Sequence, residues 1–160
     1  MNPDYLIKKN QEDVPPPEDP TAIRLVLPHE VGDIWHRVSD RLQGALEWGV
    51  HESTLHDWLV ALINMRAQLW LLIDKKEEKL IGVILTQFLE YKQHKTLHVI
   101  LFQADNFKAI GHHIATLEEF ARTNGAIALE QWGRPGWSRH LPRNQPGWEL
   151  AYHVMRRPLK

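Results

Sequence analysis

Residues 68–103 read QLWLLIDKKEEKLIGVILTQFLEYKQHKTLHVILFQ. The apolar, β-branched and aromatic content of 68–73, 79–91 and 96–103 predicts three strands, separated by a charged turn at 74–78 and a polar one at 93–95. Both turns are too short to hold a crossover helix, so the three strands must form an antiparallel meander.

Outward from the meander, the pattern changes to helical spacing. Towards the C-terminus, Ile110, Ile114, Leu117, Phe120 and Ala121 fall on one face of a helix over 107–123, which the Asn124-Gly125 pair stops. A strand follows at 126–131. A strand, a helix and another strand after the meander predict one parallel pair in an otherwise antiparallel sheet. A short helix at 136–141 and a last strand at 149–156 complete that side.

Towards the N-terminus, Ser53 or Thr54 caps a helix whose buried stripe is Leu55, Trp58, Leu59, Leu62 and Ile63. Before it, residues 29–48 carry Val31, Ile34, Trp35, Val38, Leu42, Ala45 and Leu46 at helical spacing. A strand at 23–27, ended by Pro28, opens the series. The order β-α-α-β-β-β-α-β-α-β predicts a mixed α/β class, a mostly antiparallel central sheet flanked by helices.

Composition bounds what such a fold can do. The chain has 160 residues, 43% apolar and 24% charged, enough for one soluble domain. Its 19 basic and 20 acidic residues nearly cancel, which removes the strong positive field of a protein built for duplex nucleic acid. With no cysteine, disulfides, a thiol nucleophile and thiolate metal sites are excluded. The ten histidines form no H-E-x-x-H pattern; His51 and His56 are off a common helical face, and His112 and His113 point apart, so no metal is expected. No G-x-S-x-G elbow, Walker loop or dinucleotide fingerprint occurs.

Five of the ten prolines lie in the first 20 residues, among acidic side chains. This composition favours extended polyproline geometry and cannot bury a core, so residues 1–21 read as an N-terminal arm and 22–160 as the domain. The arm's apolar cluster, Tyr5, Leu6 and Ile7, has the form of a short docking segment on a stiff spacer. The start lacks a signal peptide's apolar stretch, and no apolar run reaches membrane-spanning length.

From about residue 22 to 157 the chain resembles the GNAT superfamily of acyl-CoA N-acyltransferases. The element order agrees, as do IRLVLP before two helices, LWLLIDKKEEKLIGVIL with Gly82 in its second strand, and the passage from GRPGWSRHL to PGWELAYHV. More narrowly, it is similar to small GNAT-like proteins encoded among tailed-phage structural genes.

The resemblance implies a pyrophosphate loop at the start of the main helix, where an Arg/Gln-x-x-Gly-x-Gly/Ala pattern lets backbone amides and the helix dipole meet the phosphates. Here that place reads Asn106-Phe107-Lys108-Ala109-Ile110-Gly111. Only Gly111 fits it, and Asp105 and Asn106 are caps able to satisfy the same amides. If acetyl-CoA binds, the resemblance assigns Gln103, Lys108, Ala109 and Gly111 to it. It also implies an acid on the last helix and a base on the central strands. No tyrosine occupies 137–141, and Pro142 begins an insertion. That leaves His140 as candidate acid and His98 or Glu130 as candidate base.

Trp132, Arg134, Trp137 and Arg139 interleave aromatic and guanidinium groups, the composition of a protein interface. These readings lead to a catalytically degenerate GNAT-fold component of a larger assembly, held by its arm and its Trp/Arg surface, with no cofactor. A tailed-phage virion, at the portal, tail or among internal proteins, is the expected setting, and virion or host cytoplasm the location. The alternatives are an active acetyl-CoA-dependent N-acetyltransferase and a module that binds a host factor through the arm. A plug of the cleft by Phe102 or Trp132 would separate the first two readings.

Overall fold

The computed structural model describes residues 18–48, 52–133, 136–152 and 154–159. Tyr5, Leu6, Ile7 and Arg134 lie outside the described residues. Among the described residues the sheet has five strands, β1 (Thr21–Val26), β2 (Gln68–Asp74), β3 (Lys79–Glu90), β4 (Lys95–Ala104) and β5 (Ala128–Gln131), in that spatial order. The first three pairings are antiparallel and the last is parallel, Thr96 to Val99 matching Ala128 to Gln131.

Among the described residues five α-helices flank it: α1 (Val31–Leu46), α2 (Leu55–Ile63), α3 (Lys108–Gly111), α4 (Ile114–Thr123) and α5 (Trp137–Asn144). Thr54 caps α2, accepting from the Asp57 amide while the Asp57 carboxylate accepts from the Thr54 amide. That reciprocal pair is a capping box.

The strands β2 and β3 read as near-continuous apolar runs because both faces of the sheet are covered. On one face Leu69, Leu71, Val83, Leu85 and Leu101 pack with Val31, Val38, Leu42 and Leu62 of α1 and α2. On the other, Trp70, Leu72, Ile84 and Val99 pack with Ile110 and Leu117 of α3 and α4. Register shifts interrupt the ladders. Leu85 pairs with Leu101 and Thr86 with Val99, which leaves Ile100 as an extra residue on β4. Such a bulge re-aims the side chains beyond it: Gln103 turns to α1 and meets Arg41.

Three sequence expectations are corrected. The helix expected over 107–123 is two helices, broken at His112 and His113. Gly111 weakens the helix there, and the His113 ring is held by residues from the start of β1. Thr21 Oγ1 donates to Asp19 Oδ1 and so accepts from His113 Nε2 at 2.8 Å. Pro142, expected to end the short helix, lies inside α5, where the Gln145 amide still closes on Leu141 O at 2.8 Å. The last strand does not form: among the described residues of 149–156 none is in a strand. Side-chain bonds hold this segment instead, Tyr152 to Glu130 and Arg156 to Glu52.

Candidate functional site

Parallel pairing of β4 with β5 stops at Val99 and Gln131, whereas β4 continues to Ala104. Two cavities lie near this end of the sheet, one alongside β5 and one in the space beyond the end of the ladder. The first, about 1290 Å³, runs between α3, α4, β5 and α5, with Lys108, Gly111, His112, Arg122, His140 and Trp148 in its lining. The second, about 660 Å³, lies on the α1 side and is bordered by Arg41, Phe102, Gln103, Trp132, Gly133 and Trp137.

Phe107 belongs to the lining of both. Its ring centroid is 5.6 Å from Phe102, 5.3 Å from Trp137 and 4.9 Å from His140. Edge contacts at these separations are attractive and fix ring orientation, so the four rings form an aromatic wall between the cavities. Phe107 was not singled out in the sequence, where a lone phenylalanine before a helix reads as core.

Loop 105–111 explains how this wall is placed. Asn106 Oδ1 accepts from the Lys108 amide at 2.9 Å. The Ala109 amide donates to Asn106 O at 3.1 Å and the Ile110 amide to Phe107 O at 3.4 Å. Three successive amides are therefore spent inside the loop. Behind them stands a helix of four residues, too short to build much of a dipole. A pyrophosphate needs free amides in this place, and the loop as folded does not fit one.

Asp105 does not cap the helix as the sequence suggests. Its carboxylate accepts from Arg41 at 2.8 and 3.3 Å, and this guanidinium holds its pKa below the usual carboxylate range. Arg41 also donates to Gln103 Oε1 at 2.8 Å and to Leu80 O at 3.1 Å. One guanidinium thus ties α1 to β3, β4 and the loop, with four donors in a fork geometry that lysine could not reproduce.

The candidate residues separate into three groups. Gln103, Trp132 and Trp137 border the second cavity, and Lys108, Gly111 and His140 the first. Ala109 is buried, and Arg139 is exposed on α5; neither borders either of these two cavities. His98 and Glu130, register partners across β4 and β5, also border neither cavity.

These two residues instead support Trp132. The Glu130 carboxylate accepts from Trp132 Nε1 at 2.6 Å, the Tyr91 hydroxyl at 2.9 Å, the Tyr152 hydroxyl at 3.0 Å and Thr96 Oγ1 at 3.3 Å. Partial burial pushes its pKa up, but these four donors outweigh burial and hold it below the ordinary glutamate value. A carboxylate so stabilised is a poor proton acceptor. His98 packs its ring 4.5 Å from that of Trp132. Burial pushes its pKa down, only partly offset by Glu130, and its Nδ1 is buried without a hydrogen-bond partner.

The fold recurs in solved structures of acetyltransferases. An aminoglycoside acetyltransferase from an uncultured soil metagenomic sample, crystallised with sisomicin, aligns over 89% of this chain and 99% of its own, with a TM-score of 0.66 at 10% identity. A probable acetyltransferase aligns over 87% and 98%, with a TM-score of 0.64 at 9% identity. A GNAT family acetyltransferase from Staphylococcus aureus aligns over the same shares, with a TM-score of 0.55 at 17% identity. The chain has the GNAT fold. No protein-family model matches the sequence, and no curated protein matches it. Among the described residues no group of His, Cys, Asp or Glu is placed to hold a metal ion, and no helix is long and apolar enough to cross a membrane.

Proposed function

We propose that this GNAT-fold chain is a binding component of a larger assembly in place of a working acyltransferase, and that the assembly is a tailed-phage particle. The observation that carries the first half is the loop: the amides of Lys108, Ala109 and Ile110 are spent on Asn106 and Phe107, where acyl-CoA chemistry needs them free. Two further features support it. The aromatic wall of Phe102, Phe107, Trp137 and His140 stands between the two cavities and separates them. The candidate bases on β4 and β5 are committed to Trp132. The phage setting rests on the resemblance to small GNAT-like proteins among phage structural genes, and the partner surface on the arm with Tyr5, Leu6 and Ile7 and on the Trp132/Trp137 side of the domain.

The second reading, an acetyl-CoA-dependent N-acetyltransferase, is favoured by the first cavity, whose size and whose Lys108, Arg122 and Trp148 suit a large anionic ligand with a flat ring. It also draws on the shared fold of the aminoglycoside acetyltransferase and the GNAT family acetyltransferase described above. Acetyl-CoA would supply the activated acyl group, and His140, on the cavity lining, would be the residue placed to give a proton to the departing thiolate.

Calorimetric titration with acetyl-CoA separates the readings. No heat at about millimolar cofactor is expected, and a Kd in the micromolar range, about −8 kcal/mol, would overturn the non-catalytic reading. The assembly is tested by a chain lacking residues 1–17. It should keep the full chain's thermal midpoint and be absent from purified particles by mass spectrometry; incorporation at the full chain's level sinks the arm as the attachment.

A further inference from the structure

The second cavity, about 660 Å³, is bordered by Trp48, Phe102, Phe107, Trp132 and Trp137. Trp48 and Trp132 are 68% and 54% exposed. Aromatic-lined grooves of this kind take proline-rich segments, whose extended geometry is set before binding and costs little to fix. Gly44, inside α1, borders the same cavity. Glycine weakens a helix, and a Cβ there would meet nothing within 4 Å, so packing within the chain does not call for it. The missing side chain leaves a bare stretch of helix on which another backbone can lie closely.

Charge selects what such a segment carries around its prolines. The Arg41 guanidinium at the cavity is committed to Asp105, Gln103 and Leu80 O. Asp40 is the acidic residue of the lining, which suits a neutral stretch inside the cavity. Basic side chains stand around it: Arg37 is exposed one turn before Arg41, and Arg139 is exposed two residues beyond Trp137. The chain's own sequence contains a matching ligand, Glu12-Asp13-Val14-Pro15-Pro16-Pro17, three neutral prolines with two carboxylates just ahead of them.

These prolines do not reach the cavity of their own copy. The root of the arm is fastened on the α3 and α4 side of the sheet. There Asp19 accepts from Thr21, which accepts from His113, and the Lys75 amide donates to Pro20 O at 2.9 Å. Pro15 to Pro17 precede Thr21 by four to six residues, about 12–19 Å of polyproline chain. Thr21 shares a ladder row with Asp74 and Lys79, whereas Phe102 pairs with Ile84, three strands over from β1 and five residues further along. That is about 14 Å across and about 17 Å along the sheet, roughly 22 Å in a straight line, and the cavity lies on the opposite, α1 side. We propose that residues 12–17 of one copy dock in the second cavity of another, prolines on the aromatic rings and Glu12 and Asp13 against Arg37 and Arg139. The inference rests on the reading of the arm and the Trp132/Trp137 side as attachment surfaces, and it makes each the partner of the other. Arm and cavity are different surfaces, so the contact is heterologous and repeats from copy to copy, closing as a ring or extending as a filament.

Light scattering of the full chain at about 50 µM, enough to populate a micromolar interface, should give a mass above the monomer that rises with concentration. Two variants each remove one side of the contact. Gly44→Leu fills the bare stretch with a better helix former, and a chain lacking residues 1–17 has no arm. Each alone should be a monomer that melts no lower than the dilute full chain. Mixed, they should form a pair that stops at two, since one variant keeps the arm and the other keeps the cavity. A monomeric full chain at that concentration overturns the proposal. So does an assembly that survives Gly44→Leu, or a mixture that stays monomeric. A full chain that is monomeric, yet loses its place in particles when residues 1–17 are removed, overturns this contact and leaves the arm as an attachment to a different protein.

Discussion

Thr86 is fully buried in the middle of β3, an unusual place for a hydroxyl. It is there because two neighbours need it: Trp70 Nε1 donates to Thr86 Oγ1 at 3.0 Å, and that hydroxyl donates to Gln68 Oε1 at 2.9 Å. The three-residue relay lets a tryptophan sit in the core under α4, where its ring meets Phe120 edge-on at 4.9 Å. Thr86→Val keeps shape and strand preference but strands the indole N–H and the amide oxygen. An unsatisfied buried group costs about 1–3 kcal/mol, so we expect a loss of about 2 kcal/mol in urea denaturation with an unchanged m-value. A loss below about 0.5 kcal/mol, the size of an ordinary surface substitution, would mean that the relay is not what holds Trp70.

At the scale of elements, the start of α5 is fixed by a close approach. A Cβ on Gly133 would lie 2.7 Å from Trp137 Cβ and 3.0 Å from its Cγ. These atoms are near the backbone and cannot swing away, so Gly133→Ala must push α5 and the Trp137 side of the aromatic wall outward. Overpacking of this kind costs about 1–3 kcal/mol. The expected readouts are that loss in denaturation and stronger quenching of tryptophan fluorescence by acrylamide; full stability with unchanged quenching would refute the contact. Elements also show what the sequence could disclose. The meander was legible because apolar runs of 68–73, 79–91 and 96–103 alternate with charged turns, a purely local signal. The break between α3 and α4 was not, since the partners that draw His113 inward, Asp19 and Thr21, lie more than ninety residues away. Residues 149–156 carried a true strand pattern, but pattern names no partner, and within the chain side-chain bonds to Glu130 and Glu52 prevail. In the candidate site Trp132 and Trp137 were singled out from composition, and Gln103 only through the resemblance. Arg41 was not, because an arginine on a helix reads as solvated until the bulge at Ile100 brings Gln103 to it.

For the whole molecule, acid is the condition that tests the fold and the site together. Burial lowers the pKa of His98 and of His113; Glu130 opposes it at the first, and Asp19 opposes it at the second while His112 and Lys75 reinforce it. Both are therefore neutral in the folded chain at neutral pH. Their ordinary value is 6.5, so below it the unfolded chain binds protons that the folded chain refuses. Stability falls as pH decreases from there until the folded values are passed. A second decline follows at lower pH, because Glu30 and Glu130, ordinarily at 4.5, and Asp57 and Asp105, ordinarily at 3.8, are all held lower in the folded chain. Protonating the last of these releases the Arg41 fork, and protonating Glu130 frees Trp132, so the cavity walls loosen with the fold. The thermal midpoint should hold steady above about pH 7 and drop in two stages towards about pH 3. His98→Phe keeps a ring against Trp132 and removes an unpartnered buried nitrogen. It should match or exceed the parent chain at neutral pH, shrink the first stage and leave the second. If the midpoint is flat between about pH 7.5 and 5, or if His98→Phe leaves the first stage at full size, the histidine on β4 is not the group that makes this sheet sensitive to acid.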